Sequence, residues 1–154
     1  MIEIKRSDSE DRNFRQLAGE LDLDLKIRDG EDHQFYAQLN KIDKLANVVV
    51  VYEGETAIGC GAIRKFDDHS MEVKRMYVTP GNRQRGIASM VLKELENWCV
   101  ELGYKKCILE TGRNQPEAIA LYTKNGYLRI PNFGAYKDVP NSVCFEKELK
   151  NPDE

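Results

Sequence analysis

The stretch from Val78 to Ala88, VTPGNRQRGIA, holds the densest concentration of potential chemistry in this chain. It separates a β-branched and aromatic segment from a long amphipathic one, so it stands where a helix begins. The first turn of a helix presents free N–H groups and the positive end of the helix dipole, which suits a phosphate. Gly86 lets the backbone approach such a ligand closely, and Ala88 is small enough not to block it. Arg83 and Arg85 add positive charge at the rim. On the turn alone, a surface loop with two solvated arginines fits equally well. A P-loop is excluded because no Gly-Lys-Ser/Thr follows, and the GxGxxG dinucleotide fingerprint is also absent.

Other reactive side chains point to less. Cys60, Cys99, Cys107 and Cys144 form no CxxC pair and no Cys/His cluster at metal-ligand spacing. Each lies in an apolar segment and reads as a reduced, buried thiol, and no metal is expected. His33 and His69 fall at a helix start and in a turn, where a solvated surface role is expected.

The elements that must position the glycine-rich turn follow from periodicity. Met1 to Arg6 alternates as a short strand. Ser7, Asp8 and Ser9 offer helix caps before Phe14, Leu17, Leu21 and Leu25, which recur at helical spacing from about Asp8 onward. Phe35, Leu39, Ile42 and Leu45 suggest a second, shorter helix. Val48–Tyr52 and Thr56–Ile63 read as a hairpin around Glu53-Gly54, and Met71–Val78 as a fourth strand. Ile87, Val91, Leu95, Trp98 and Leu102 form the strongest helical stripe, stopped by Gly103. Lys106–Glu110 is a strand, and Pro116–Lys124 is a helix capped by Asn125-Gly126. Tyr127–Ile130 and Ser142–Glu146 are the last strands. Early hairpins and a later β-α-β crossover define an α/β class: a mixed sheet of about seven strands with helices on both faces.

At 154 residues the chain is one domain's worth, expected to span 2–148 with a short tail at 149–154. The formal charge of −3 argues against a sequence-independent nucleic-acid binder, which needs a basic face. The longest apolar run, Val48–Tyr52, is far short of the ~20 residues of a membrane span. The N-terminal residues carry no apolar signal-peptide core, so a cytoplasmic location is expected.

Arg83-x-x-Gly86-x-Ala88 resembles the Gln/Arg-x-x-Gly-x-Gly/Ala signature of the GCN5-related N-acetyltransferase (GNAT) family. Downstream, NQPEAIALYTKNGY from Asn114 to Tyr127 looks like the family's second motif. The two lie about 25 residues apart, flanked by the expected elements, and the resemblance covers roughly residues 2 to 148.

The resemblance implies a fold in which Met71–Val78 and Lys106–Glu110 run parallel and then splay, with acetyl-CoA in the gap. Backbone groups around Met76, Tyr77 and Val78 would bond its pantetheine arm like a pseudo-strand. The N–H groups of Gln84, Arg85, Gly86, Ile87 and Ala88 would hold the pyrophosphate, with Arg83 at the rim of the cofactor site, and Asn114 would bond the arm. Tyr122 matches the family's general-acid tyrosine; packing on its helix is the alternative. Tyr127 is expected in the core. Glu72 stands where relatives carry a base, and burial would raise its pKa; an ion pair with Lys74 is the alternative. Strict alternation would place Glu72, Lys74 and Met76 on one face, and Val73, Arg75 and Tyr77 on the other. Tyr36 and Asn40 would form one acceptor wall. Phe133 and Tyr136 would form the opposite wall or a hydrophobic plug.

The expected activity is acetyl transfer from acetyl-CoA, used as a co-substrate, to a primary amine of a small or amino-acid-like acceptor, by direct attack in a ternary complex. The rival reading is a non-catalytic acyl-CoA-binding sensor or scaffold. Homodimers are common in the family it resembles, and a shared C-terminal strand edge is one route to such a dimer; the sequence leaves the oligomeric state open. The acceptor's identity is not written in the sequence, because acceptor walls are loops and helix ends.

Overall fold

The computed structural model describes residues 1–29 and 44–150. The second, shorter helix expected from Phe35, Leu39, Ile42 and Leu45, with Tyr36 and Asn40, therefore lies outside the described residues except for Leu45. Among the described residues, seven strands and three α-helices follow one another as β1 (Ile2–Ser7), α1 (Arg12–Asp29), β2 (Asn47–Glu53), β3 (Thr56–Lys65), β4 (Ser70–Val78), α2 (Ile87–Glu101), β5 (Lys106–Gly112), α3 (Pro116–Lys124), β6 (Leu128–Ile130) and β7 (Ser142–Glu148). Single 3-10 turns lie at Pro80–Asn82 and Gly134–Tyr136. Among the described residues no helix is long and apolar enough to cross a membrane.

The sheet runs β1-β2-β3-β4-β5-β7-β6. Every neighbouring pair is antiparallel except β4 and β5. The continuous valine run of β2 is buried on both faces. Val48, Val50 and Tyr52 meet Phe14, Leu17 and Leu21 of α1, while Val49 and Val51 meet Val91, Leu92 and Leu95 of α2. α1 starts later than the sequence suggests. Asp11 is the cap, its Oδ1 accepting from the N–H groups of Asn13 (2.9 Å) and Phe14 (3.0 Å). Asp8 is spent on the turn before it, accepting from Glu10 N–H. Ser9 is buried and clasps Leu45 through its own N–H and its Oγ.

Two features of β4 shape the site. It pairs with β5 only from Ser70 to Glu72, opposite Lys106 to Ile108. Beyond that the strands part, and β5 continues along β7 while Val73–Val78 stay on β3. The register between β3 and β4 also shifts between Cys60 and Ala62, and Arg75 takes φ +60. This bulge breaks strict alternation. Met76 and Val78 join Val73 in the core under α2, and the Met76 sulfur lies against Gly61. Arg75 and Tyr77 turn to α1, where they meet Asp22 and Glu20. The expectation that Glu72 and Met76 share a face is therefore overturned.

Candidate active site

The parting of β4 and β5 opens a cleft of about 670 Å³. The outer stretch of β4 forms one side, Glu110–Gly112 and α3 the other, and the turn before α2 closes one end.

At that turn, Gln84 (φ +63) and Gly86 (φ +78) both adopt left-handed backbone conformations. Turns of this kind direct N–H groups into a concavity that accepts an anion. A Cβ built on Gly86 would meet nothing within 4 Å, so glycine is required there by backbone angle and not by crowding. The two arginines behave differently from the sequence expectation. Arg83 Nε donates to the carbonyl of Val78 at 2.9 Å, and its guanidinium lies over the Tyr77 ring. That carbonyl was expected to face the cofactor. Arg85 forks onto Glu53 (2.6 Å) and Asn82 (2.6 Å) on the outer surface and does not line the cleft. Its contribution to the turn is its backbone. Asn114 is exposed and also outside the lining, which Thr111, Gly112 and Gln115 supply instead.

Tyr122 is buried in the last turn of α3 and lines the cleft, its ring edge-on to Tyr127 at 5.8 Å. Burial first, and then the charge of Glu110, push its phenol well above the usual tyrosine range. The proton is thus present at neutral pH. The same shift disfavours loss of that proton and leaves the phenol a hydrogen-bond donor at the cleft wall. Tyr127 is a core residue, as expected, with its hydroxyl donating to Glu96 at 3.0 Å.

Near the point where the strands part, Glu72 collects donors. Arg64 Nη2 reaches Oε1 at 3.3 Å, Tyr136 Oη donates to Oε2 at 3.2 Å, and Lys74 Nζ lies 3.7 Å from Oε2. Lys74 also donates to Tyr136 Oη at 3.3 Å. Glu72, Lys74 and Tyr136 are all buried and line the cleft. Burial pushes the Lys74 ammonium below the usual lysine range, with Glu72 opposing that shift. The Tyr136 phenol is pushed up by burial and by Glu72. A carboxylate offers about four lone-pair sites. Two hydrogen bonds and a nearby ammonium leave little more than one of them open. Phe133 does not line the cleft; it packs edge-on between Phe66 (5.2 Å) and Tyr136 (5.6 Å) and buttresses the latter.

Arg64 and Glu110 escaped the sequence reading. Arg64 was findable: the hairpin around Asp67-Asp68 puts it directly opposite Glu72. Glu110 gave no local signal.

A mixed sheet parted beside a glycine turn, with an acid–base cluster in the wedge, defines an acyl-CoA-type transferase architecture. The chain belongs to the acetyltransferase (GNAT) family, whose profile matches residues 12–127. The family's fold is that of acetyl-CoA-dependent acyltransferases. Over 102 residues the chain is 37% identical to an IAA acetyltransferase of Azospirillum brasilense, covering 66% of this chain and 67% of that protein. It is 32% identical over 100 residues to the N-acetyltransferase YsnE of Bacillus subtilis, covering 64% and 66%. The chain thus spans about two thirds of the length of each. A Klebsiella pneumoniae structure described as an acyl-CoA N-acyltransferase superposes with TM-score 0.80 at 28% identity, covering 97% of this chain and 99% of that one. A GNAT family acetyltransferase from Elizabethkingia anophelis, solved with acetyl-CoA bound, superposes with TM-score 0.69 over 96% and 98% of the chains. At 19% identity that likeness is one of fold.

Proposed function

We propose that this protein transfers the acetyl group of acetyl-CoA to a primary amine of a small, amino-acid-like acceptor, by direct attack with both substrates bound. The observation that carries the reading is the wedge between β4 and β5. It has an anion-accepting turn at one end and Glu72, Tyr136 and Tyr122 on its walls.

Acetyl-CoA supplies an activated acyl carbonyl and a thiol leaving group. The residues present fit it. Gln84 and Gly86 shape a backbone turn suited to phosphate, and the stretch of β4 beyond Glu72 offers its edge to a pantetheine arm where β5 has left it. Glu72 is the group placed to take a proton from the attacking amine, with Arg64, Lys74 and Tyr136 fixing its orientation. In this reading Tyr122, buried in the cleft wall, donates toward the leaving sulfur. Holding amine and carbonyl together in the cleft supplies most of the rate advantage.

The test is release of free CoA thiol on mixing the protein with acetyl-CoA and a panel of amines, amino acids and aminoglycosides. Acceptor-dependent release is expected. Tight CoA binding with no turnover across the panel would move the protein to the rival reading, a non-catalytic acyl-CoA sensor.

A further inference from the structure

Arg75 is the least satisfied charged group on the wall of the cleft. Its side chain is 3% exposed, and Nε is buried with no hydrogen-bond partner among the described residues. Among the described residues one ion pair serves it, from Nη1 to Asp22 Oδ1 at 2.6 Å. A guanidinium carries five N–H donors in a rigid fork, and a buried charge is ordinarily matched on more than one edge. The Nε–H and the neighbouring terminal N–H run parallel and form the edge that holds a carboxylate by two bonds. Here that edge is the one left over.

The backbone is distorted to put the group there. Arg75 sits at φ +60, a region that residues with side chains seldom enter. With regular alternation it would share the face of Val73 and point into the apolar core under α2. The bulge instead turns it to the α1 face, which also carries Glu72 and Lys74. Leu21, Asp24 and Leu25 of α1 line the cleft beside it, a wall of apolar surface with charges of both signs. Strain held at a cleft wall, in a residue left under-bonded, points to a ligand that completes the arrangement.

We infer that Arg75 anchors a carboxylate of the acceptor, so that the preferred acceptors are aminocarboxylates. The inference rests on the acetyl-transfer reading and names its substrate class. The carboxylate takes the Nε edge of Arg75 and leaves the amine on the side of Glu72. A single guanidinium edge against Leu21 and Leu25 suits a singly charged carboxylate better than a phosphate. Asp22, 44% exposed, is the internal competitor for the same cation.

The test uses a matched pair of product-like probes, N-acetylleucine and N-acetylleucinamide, titrated calorimetrically into the CoA-loaded protein. The acid is expected to bind about tenfold or more tighter than the amide, as a charged hydrogen-bonded pair should. Arg75→Gln is expected to bring the ratio near one. Asp22→Asn is expected to act the opposite way and raise affinity for the acid several-fold, because it removes the competing carboxylate. If Arg75 and Asp22 merely clamp α1 to β4, Asp22→Asn weakens folding and leaves the acid-to-amide ratio unchanged, which overturns the inference. Equal binding of the two probes to wild type, or binding of neither, overturns it too. Titration of CoA alone keeps the two readings apart. Absent CoA binding removes the acetyltransferase reading, whereas a flat acid-to-amide ratio on a protein that binds CoA removes only the role of Arg75.

Discussion

The hydroxyl of Tyr136 donates to Oε2 of Glu72 across 3.2 Å, although 64 positions separate the two residues in the chain. The loop after β6 is thereby tied to the strand that bears the proposed base. Tyr136 also accepts from Lys74, so one buried phenol orients both charged groups of β4. It is held in turn by its loop: the Asn132 side-chain amide donates to the carbonyls of Tyr136 (3.2 Å) and Val139 (3.0 Å).

Glu72→Gln is expected to lower kcat/KM by roughly 10–100-fold, the range of a lost general base. Tyr136→Phe leaves the carboxylate but removes its orienting donor. It should cost about 1–2 kcal/mol of stability and a smaller share of kcat, with CoA affinity unchanged. Steady-state kinetics beside urea unfolding would check both. A Glu72→Gln protein with wild-type kinetics would leave Glu72 as the ion-pair partner of Lys74 alone.

Tyr122→Phe removes one hydroxyl and almost no volume. If the phenol donates to the leaving sulfur, kcat should fall by roughly 10²-fold while KM for acetyl-CoA moves little. A kcat within about threefold of wild type assigns the ring to packing against Tyr127 and Phe145.

Gly86→Ala should strain the turn, because φ +78 costs a residue with a Cβ about 1–2 kcal/mol. Either the turn relaxes and its N–H groups lose their alignment, or stability falls. We expect CoA affinity to drop at least ~tenfold, read by calorimetry. Unchanged affinity in a folded variant would remove the turn from the cofactor site.

Gly61→Ala tests packing under the bulge. Its new Cβ would lie 2.6 Å from the Met76 sulfur and 2.7 Å from Val91 Cγ1. An overpacked core of this kind costs about 1–3 kcal/mol, which a denaturant midpoint would register.

Alkaline pH should destabilise the fold early. Burial pushes the Cys60 thiol up to about 12 and the Cys144 thiol to about 11. In the unfolded chain both ionise near pH ~8.5. The unfolded state then binds fewer protons than the native one, so stability complete below pH ~8.5 drains as pH rises through the folded values. Tyr122 and Tyr136, also raised, add to the loss above pH ~10. Lys74, lowered by burial, works in the opposite sense, but it is one group against these four and the likewise raised Cys107, Tyr77 and Tyr127. A loss of about 2–4 kcal/mol between pH 8 and 10 in urea titrations is expected.

Local pattern was enough to determine the elements and the turn. The alternation of β1, the β-branched run of β2, the stripe from Ile87 to Leu102 and the spacing of Arg83, Gly86 and Ala88 are short-range properties, and the described structure reproduces them. They also identified the family, because its motifs sit on contiguous residues. Tertiary structure decided which way the side chains of β4 point. The bulge at Arg75 depends on how β3 and α2 crowd the strand, and one inserted residue reverses every face assignment beyond it. It also decided the fate of the charges. Arg83 turns back onto Val78 and Arg85 onto Glu53, because a long cation takes the nearest acceptor that folding brings within reach. Tyr136 meets Glu72 only once β7 has paired with β5 and the loop before it has reached β4. A contact 64 residues apart in sequence leaves no periodic trace in the chain.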